Sequence, residues 1–479
     1  MWQIHSKTRG KHYNFNVLTL KHTSTPLDIE EDQAMGMAMY SRSPASIGDH
    51  VAKVNERGSQ GFMQTFYCGY GHDSIGDCAE GALYVEGVSM LMAKHLQNNP
   101  LYRGQEASTR YLDFSKAEFI VPNENPVGRA YVEKLRAFYM KARPVMVALF
   151  AQKNGVDMNA VPEKDTKGKL TEAGKALNAA KNAVNAKAFD VVRGFLPFGA
   201  ATNVAVAMTL RQLRDHALWL QASDVDEARD VAEAILEALK GRYENSFGVK
   251  DEKEEVRAQR EAREREQLEF RKKVVLELTN AELADTFNWE GLECSSTWRT
   301  EFDNNPSRSF PNLLLSPRPC GLPPHMAVHL PVVEAEFLID IGSYRDIQRQ
   351  QSVSKNFPIA TTRFGAEQWY IEQLDDSLKE EAVALLEEAK DAYLAYDRPV
   401  DSQYIVPMAY QVNFRMRGNW DKFDYITELR TKTTVHPTLR KKMAVIAKQL
   451  NEMHPMQLRF TDSEDVFDVR RGKQTITEK

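Results

Sequence analysis

The chain has 479 residues, 42% hydrophobic and 27% charged, which is enough for several domains with sizeable cores. Its formal net charge is −5, so neither a general nucleic-acid-binding nor a membrane-binding surface is indicated, while a local basic pocket for a small anion stays open. No apolar run reaches membrane-spanning length, Met1-Trp2-Gln3-Ile4-His5 begins no signal peptide, and Cys68, Cys78, Cys294 and Cys320 lack metal-ligand spacing. A reducing, cytoplasmic setting with free thiols and no metal site is expected.

In chain order, residues 1–25 read as irregular or strand-rich, and Glu30–Met39 and Ser46–Glu56 as helices. Gly69-Tyr70-Gly71-His72-Asp73-Ser74 is a glycine-rich turn, but its glycines miss the spacing of a dinucleotide fingerprint. An apolar helical run over Val85–Leu96 leads to Gly104-Gln105-Glu106-Ala107-Ser108-Thr109-Arg110-Tyr111. That stretch crowds an acid, two hydroxyls, an arginine and a phenol together, suiting either a phosphate- or ring-edge-binding loop or a solvated turn. Phe119–Pro122 reads as an extended exit, and Gly128–Lys153 and Leu170–Gly194 as long helices. After the break at Leu196-Pro197 a new helix is expected, carrying Leu210, Leu213, Ala217 and Leu220 on one stripe, and Asp224–Arg242 continues as helix.

Lys250–Lys273 is almost all charge and reads as a solvated helical linker. The expected division is therefore a domain over 1–249, a linker over 250–273 and a second domain over 274–479. Residues 290–328 look loop-rich, Val332–Ile341 reads as strand or apolar helix, and Gly342–Gln351 and Ser377–Tyr393 as helices. A final helical pair is expected over Met416–Glu428 and Pro437–Met453.

The two halves repeat each other. Leu196-Pro197 corresponds to Val406-Pro407, and counting on equally from each proline reaches Leu220 in one half and Arg430 in the other. Arg430 thus stands on a mostly apolar helical face and needs a partner, either an internal carboxylate or a ligand anion. Upstream, Leu96-Gln97-Asn98-Asn99-Pro100 faces Ile347-Gln348-Arg349-Gln350-Gln351, and again only the second half carries the arginine.

Gly71-His72-Asp73-Ser74, then Gln105-Glu106-Ala107-Ser108-Thr109-Arg110-Tyr111, then Leu196-Pro197, resembles flavin-dependent thymidylate synthase. The second half is similar to a divergent further copy of the same domain. The resemblance implies an α+β fold, with helices packed on a small, mostly antiparallel sheet in each of two tandem thymidylate synthase-complementing-like domains. It implies methylation of dUMP, or a sister pyrimidine nucleotide, with methylenetetrahydrofolate as carbon donor, NADPH as reductant and FAD as cofactor.

The nucleotide site of that family joins two subunits. By resemblance, one side here comes from Ser108, Thr109, Arg110 and Arg193, and the other from Asp346, Arg349 and Arg430. Arg110 is implied beside the base, with Ser108 orienting the nucleotide. His72, Ser74, Glu106, Gln350, Gln351 and Asn419 match flavin-lining positions. The missing groups are complementary: Asn98 and Leu220 replace arginines in the first half, and Gln403 replaces the Arg193 equivalent in the second. One composite site type follows, and a homodimer rebuilding a four-part assembly is expected. The Arg-His-Arg signature is not intact, because Arg349-Gln350-Gln351 and Asn98-Asn99-Pro100 replace it. A non-catalytic or regulatory nucleotide-binding protein without flavin chemistry is therefore the alternative.

Overall fold

The computed structural model describes residues 2–22, 30–40, 43–45, 73–247, 254–280, 295–299, 332–453, 457–462 and 467–473, with residues 49, 52, 53 and 56. In chain order the elements used below are β1 (Trp2–Arg9), β2 (Asn16–His22), α1 (Glu30–Tyr40), β3 (Glu80–Ser89), α2 (Met90–Gln97), β4 (Arg103–Glu106), α3 (Pro126–Lys153), α4 (Glu172–Val192), β5 (Ala201–Thr209), α5 (Leu210–Gln221), α6 (Asp226–Arg242), α7 (Glu254–Asn280), β6 (Ser295–Arg299), β7 (Val332–Asp340), α8 (Ile341–Ile347), β8 (Ser354–Lys355), α9 (Asp376–Leu394), β9 (Gln411–Asn419), α10 (Trp420–Arg430) and α11 (Pro437–Met453). They are helices with antiparallel sheets, as the α+β expectation requires. The helix expected over 46–56 and the turn over 69–74 lie largely outside the described residues.

The chain forms two compact units that do not follow chain order. One comprises Met1–Ala107 and Ala200–Lys272, the other Ser108–Gly199 and Lys273–Lys479. This grouping differs from a cut after residue 249, because residues 108–199 of the first half pack with the second half.

In the first unit the sheet order is β1-β2-β3-β5-β4, with antiparallel pairing throughout. Two helical expectations are corrected here. Val85–Ser89 belongs to β3, where Leu83 and Val85 face inward and Tyr84 and Glu86 outward; the helix begins only at Met90. Residues 201–209, expected to be helical, form β5, with Val204, Val206 and Met208 buried on one face. In both segments the alternation of period two outweighs the stretch of small residues. The first part of the polar motif is strand β4, and its Gly104 is needed for close approach. A Cβ there would lie 1.9 Å from the Ala205 carbonyl oxygen. Helix α6 ties down the β1–β2 turn, since Asp230 accepts from the backbone N–H groups of Lys11, His12 and Tyr13, each at 2.9 Å.

In the second unit the sheet order is β6-β7-β9-β8, again antiparallel. Val332–Asp340 is strand, the first of its two expected readings. Met416–Asn419, expected to open a helix, completes β9 instead, and α10 starts at Trp420. The long helices α3 and α4 pack on each other, and α3 packs on α9. Tyr131 Oη donates to the Leu385 carbonyl at 3.0 Å, and Lys134 pairs with Glu388 at 2.6 Å. The two proline segments meet as an antiparallel bridge at Pro197 and Pro407. Phe198 N–H donates to Val406 and Met408 N–H to Leu196, both at 2.9 Å.

The order β2, β3, α2, β4, β5 in the first half has a like order β6, β7, α8, β8, β9 in the second, but the β3–β5 pairing shifts register between Glu86 and Val88 and the β7–β9 pairing does not. Ser89 Oγ caps α2 by accepting from Met92 N–H at 2.9 Å, and Asp340 Oδ2 caps α8 by accepting from Ser343 N–H at 2.9 Å. Thr209 and Asn419 are the N-cap residues of α5 and α10. Short 3₁₀ turns occupy Arg193–Phe195 and Gln403–Ile405.

Candidate functional site

The polar centre lies in the second unit. Past Ala107 the chain turns at Ser108, whose carbonyl accepts from Tyr111 and Leu112 N–H at 3.3 and 3.0 Å. Ser108 Oγ accepts from Arg110 N–H at 3.3 Å. This short turn aims Arg110 at α4. Its Nε and Nη2 donate to the two oxygens of Asp190 at 2.7 and 3.2 Å, and Nη1 donates to the Thr434 carbonyl at 3.1 Å. Asp190 is fully buried. Burial opposes its charge, but Arg110 and Arg471 outweigh that and hold the carboxyl well below the usual carboxylate range. Arg471 grips the same carboxylate from the C-terminal segment, with Nη2 at 3.1 Å from Oδ1 and Nη1 on Oδ2.

A second carboxylate, Asp346, draws in the remaining arginines. Arg349 Nη2 lies 3.1 Å from Oδ1, and Arg193 Nη1 lies 3.5 Å from Oδ2. Arg430 Nη2 donates to the Asp346 carbonyl at 2.7 Å. With its amide oxygen turned toward Arg430, Gln350 accepts from Nη2 at 2.6 Å and Nε at 3.1 Å. Burial again opposes ionisation of Asp346, and Arg193, Arg349, Arg110 and Arg430 together hold it well below the usual range. Burial lowers Arg430, and the neighbouring Arg349 and Arg110 add to that effect, while Asp346 offsets part of it. Arg193 is 1% exposed, and its Nε and Nη2 have no hydrogen-bond partner among the described residues.

Ser108, Thr109, Arg110, Arg193, Asp346, Arg349, Arg430 and Gln350 are therefore gathered in one unit, from opposite ends of the sequence. Thr109 joins through Arg345, whose Nη1 donates to its hydroxyl at 3.3 Å. Around the two carboxylates stand five guanidiniums, of residues 110, 193, 349, 430 and 471, an excess of positive charge. Gln403, the counterpart of Arg193 in the expected repeat, spends its amide on backbone. It accepts from Ala360 N–H at 3.0 Å and donates to the Val400 carbonyl at 3.3 Å. Thr361 and Thr362, close to Gln403's partner Ala360 in sequence, are buried.

The expected flavin residues are more scattered. His72 lies outside the described residues, Ser74 is exposed in the first unit, and Glu106, also in the first unit, is held by Lys94 at 2.6 Å and Gln97 at 2.9 Å. Asn419 caps the start of α10 whereas Arg430 ends it, about 16 Å away along the axis at 1.5 Å per residue. Sequence reasoning missed Asp190, His436 and Arg471. Asp190 was legible only as an acid near the end of an alanine-rich helix, one turn before Arg193. His436 is fully buried, with Nε2 3.1 Å from the Asp190 carbonyl and Nδ1 2.8 Å from Thr438 Oγ1. Burial keeps it neutral, with its pKa well below the ordinary histidine value. Among the described residues no acidic, histidine or cysteine cluster could hold a metal ion, and no helix is long and apolar enough to cross a membrane.

Clustered guanidiniums beside buried hydroxyls present forked donors to the oxygens of a phosphate or carboxylate. Together the fold and this centre define the class: an α+β chain with an arginine-lined polar site. Residues 23–243 match the family model described as thymidylate synthase complementing protein. Part of the chain is 31% identical over 156 residues to a UPF0159 protein of Chlamydia muridarum, covering 30% of this chain and 29% of the relative. A UPF0159 protein of Chlamydia pneumoniae is 26% identical over 140 residues, covering 29% of this chain and 26% of the relative. The matches thus span under a third of the length of these chlamydial proteins. A UPF0159 protein of Thermoplasma acidophilum is 21% identical over 498 residues, covering 91% of this chain and 96% of its own. Crystal structures of Thymidylate Synthase X from Helicobacter pylori with FAD and dUMP match 50% of this chain at 20% and 18% identity, covering 97% and 98% of their own chains, each with a TM-score of 0.26.

Proposed function

We propose that the chain is a flavin-dependent thymidylate synthase-like enzyme. It methylates C5 of dUMP, or of a closely related pyrimidine nucleotide, with methylenetetrahydrofolate as carbon donor and NADPH as reductant. The observation that carries this reading is the convergence on Asp346 of Arg193 from one half and Arg349 and Arg430 from the other. A nucleotide phosphate brings about two negative charges, which such a cluster matches bidentately. The unpartnered Nε and Nη2 of Arg193 are buried donors whose desolvation a phosphate oxygen would offset. Arg110, fixed by Asp190 and Thr434, stands ready to stabilise negative charge developing on the base, and Ser108 and Thr109 orient the nucleotide. The family match over residues 23–243 supports the same reaction.

FAD is the cofactor in this reading. Gln351 Oε1 is buried and has no hydrogen-bond partner among the described residues, which fits the N–H edge of a flavin ring. Gln350 and Gln351 would hold the flavin, and the family resemblance adds His72, Ser74, Glu106 and Asn419 as further flavin candidates. When bound, the flavin supplies the redox chemistry of methyl transfer. The parallel element order supports reading the halves as divergent copies of one domain, so that two chains, as a homodimer, rebuild a four-part assembly in the cytoplasm.

One observation favours a second reading, a nucleotide-binding protein without flavin chemistry. None of the six flavin residues is an arginine or lysine, so they bring no positive charge to a diphosphate. Incubation of the purified chain with dUMP, methylenetetrahydrofolate, NADPH and FAD separates the two. The enzyme reading predicts a product heavier by one CH2 unit and a yellow protein. A colourless protein that binds dUMP and returns it unchanged establishes the second reading.

A further inference from the structure

The C-terminal segment 467–473 touches both supports of Arg110. Arg471 shares the Asp190 carboxylate with Arg110 and is itself 6% exposed. Its guanidinium carbon lies 5.9 Å from the centroid of Tyr111, the residue after Arg110. The second support is the Thr434 carbonyl, and its neighbour Thr433 donates through Oγ1 to Asp468 at 2.7 Å. The segment is seated closely. A Cβ on Gly472 would meet the Ala179 carbonyl at 1.8 Å, so only glycine lets residues 470–473 lie against α4.

Charge explains why a second arginine stands there. An Arg110–Asp190 pair alone is neutral, and its guanidinium offers little net field to an anion. A carboxylate accepts through two oxygens with about four lone-pair directions, so a second fork shares it without displacing the first. With Arg471 in place the trio carries one net positive charge, and Arg110 keeps the Nη1 edge that reaches Thr434. Loss of Arg471 would leave Asp190 buried with half its donors gone and free to shift, so Arg110 would no longer be held in one direction.

We propose that Arg471 is a positioning residue: by sharing Asp190 it fixes the direction and preserves the net charge of Arg110, and the C-terminal segment thereby tunes recognition of the pyrimidine base. This rests on the nucleotide-binding reading for its ligand, so the test has one arm that needs no ligand. In the full chain, Arg471→Gln and Arg471→Lys are compared with wild type for modification of Arg110 by an arginine-selective dicarbonyl reagent, followed by mass spectrometry. Arg471→Gln should raise Arg110 reactivity several-fold, and Arg471→Lys, which keeps the charge, should restore much of the protection. Unchanged Arg110 reactivity in Arg471→Gln overturns the proposal, whatever the ligand. In the second arm, dUMP and the base-free deoxyribose 5-phosphate are titrated. A loss of about tenfold for dUMP, with deoxyribose 5-phosphate within twofold, is expected. An equal loss for both ligands marks a merely structural role and contradicts it. Thermal unfolding confirms that each variant is folded, and the lysine variant keeps the comparison decisive if the glutamine variant is not.

Discussion

Asp346 is a carboxylate whose charge is set by its neighbours, with Arg349 at 3.1 Å and Arg193 at 3.5 Å. The arginines that a phosphate needs are already partly neutralised by it. Asp346→Asn keeps the volume and removes the charge, so inorganic phosphate and dUMP should both bind about tenfold more tightly, as read by calorimetry at fixed ionic strength. The same carboxylate sets a pH dependence. A pKa depressed in the folded state contributes stability above the ordinary aspartate value of about 3.9 and loses it as pH falls through the depressed one. Urea midpoints should therefore fall steeply below about pH 4 in wild type and less steeply in Asp346→Asn. Much of this cluster was legible beforehand. Arg430 on an apolar face announced a buried cation needing a partner, and its partners are the Asp346 carbonyl and Gln350. Asp190 and Arg471 were not legible, because a buried pair separated by 281 positions leaves no local pattern.

At the scale of elements, α8 sets the positions of Arg345 and Asp346 and delivers the chain to Arg349. Its start is fixed by Asp340, which accepts from Ser343 N–H at 2.9 Å and from Tyr370 Oη at 2.8 Å. Asp340→Ala removes a buried cap and leaves a buried phenol unpaired, which should cost about 2–4 kcal/mol in denaturant unfolding. Its nucleotide affinity should fall as well, since the helix start is no longer held. Long helices such as Pro126–Lys153 and Asp376–Leu394 could be read from their apolar stripes. Strands β3, β5 and the end of β9 could not, because each runs directly into a helix: Ser89, Thr209 and Asn419 end a strand and cap the helix that follows. Without a glycine or proline between the two, the change of period from two to 3.6 is the only boundary signal.

The whole molecule interleaves its halves. The expected repeat was counted from the sequence: matched prolines lead to Leu220 and Arg430, and the facing segments Leu96–Pro100 and Ile347–Gln351 carry Asn98 and Arg349. That residues 108–199 pack with the second half rather than the first was not legible, because it depends on long-range contacts such as Tyr131 with Leu385. Residues 1–249 and 274–479, expressed apart, should each fail to bind dUMP, because Arg110, Asp190 and Arg193 lie on one fragment and Asp346, Arg349, Arg430 and Arg471 on the other. Their buried charges would also lack partners, so both fragments should unfold at lower denaturant than the full chain. The central claim is that guanidiniums from both halves hold one nucleotide. Calorimetric titration of dUMP into the full chain and into Arg430→Leu tests it most directly. The account predicts saturable binding by the full chain, weakened at least tenfold in the variant; equal affinity in the two proteins would contradict it.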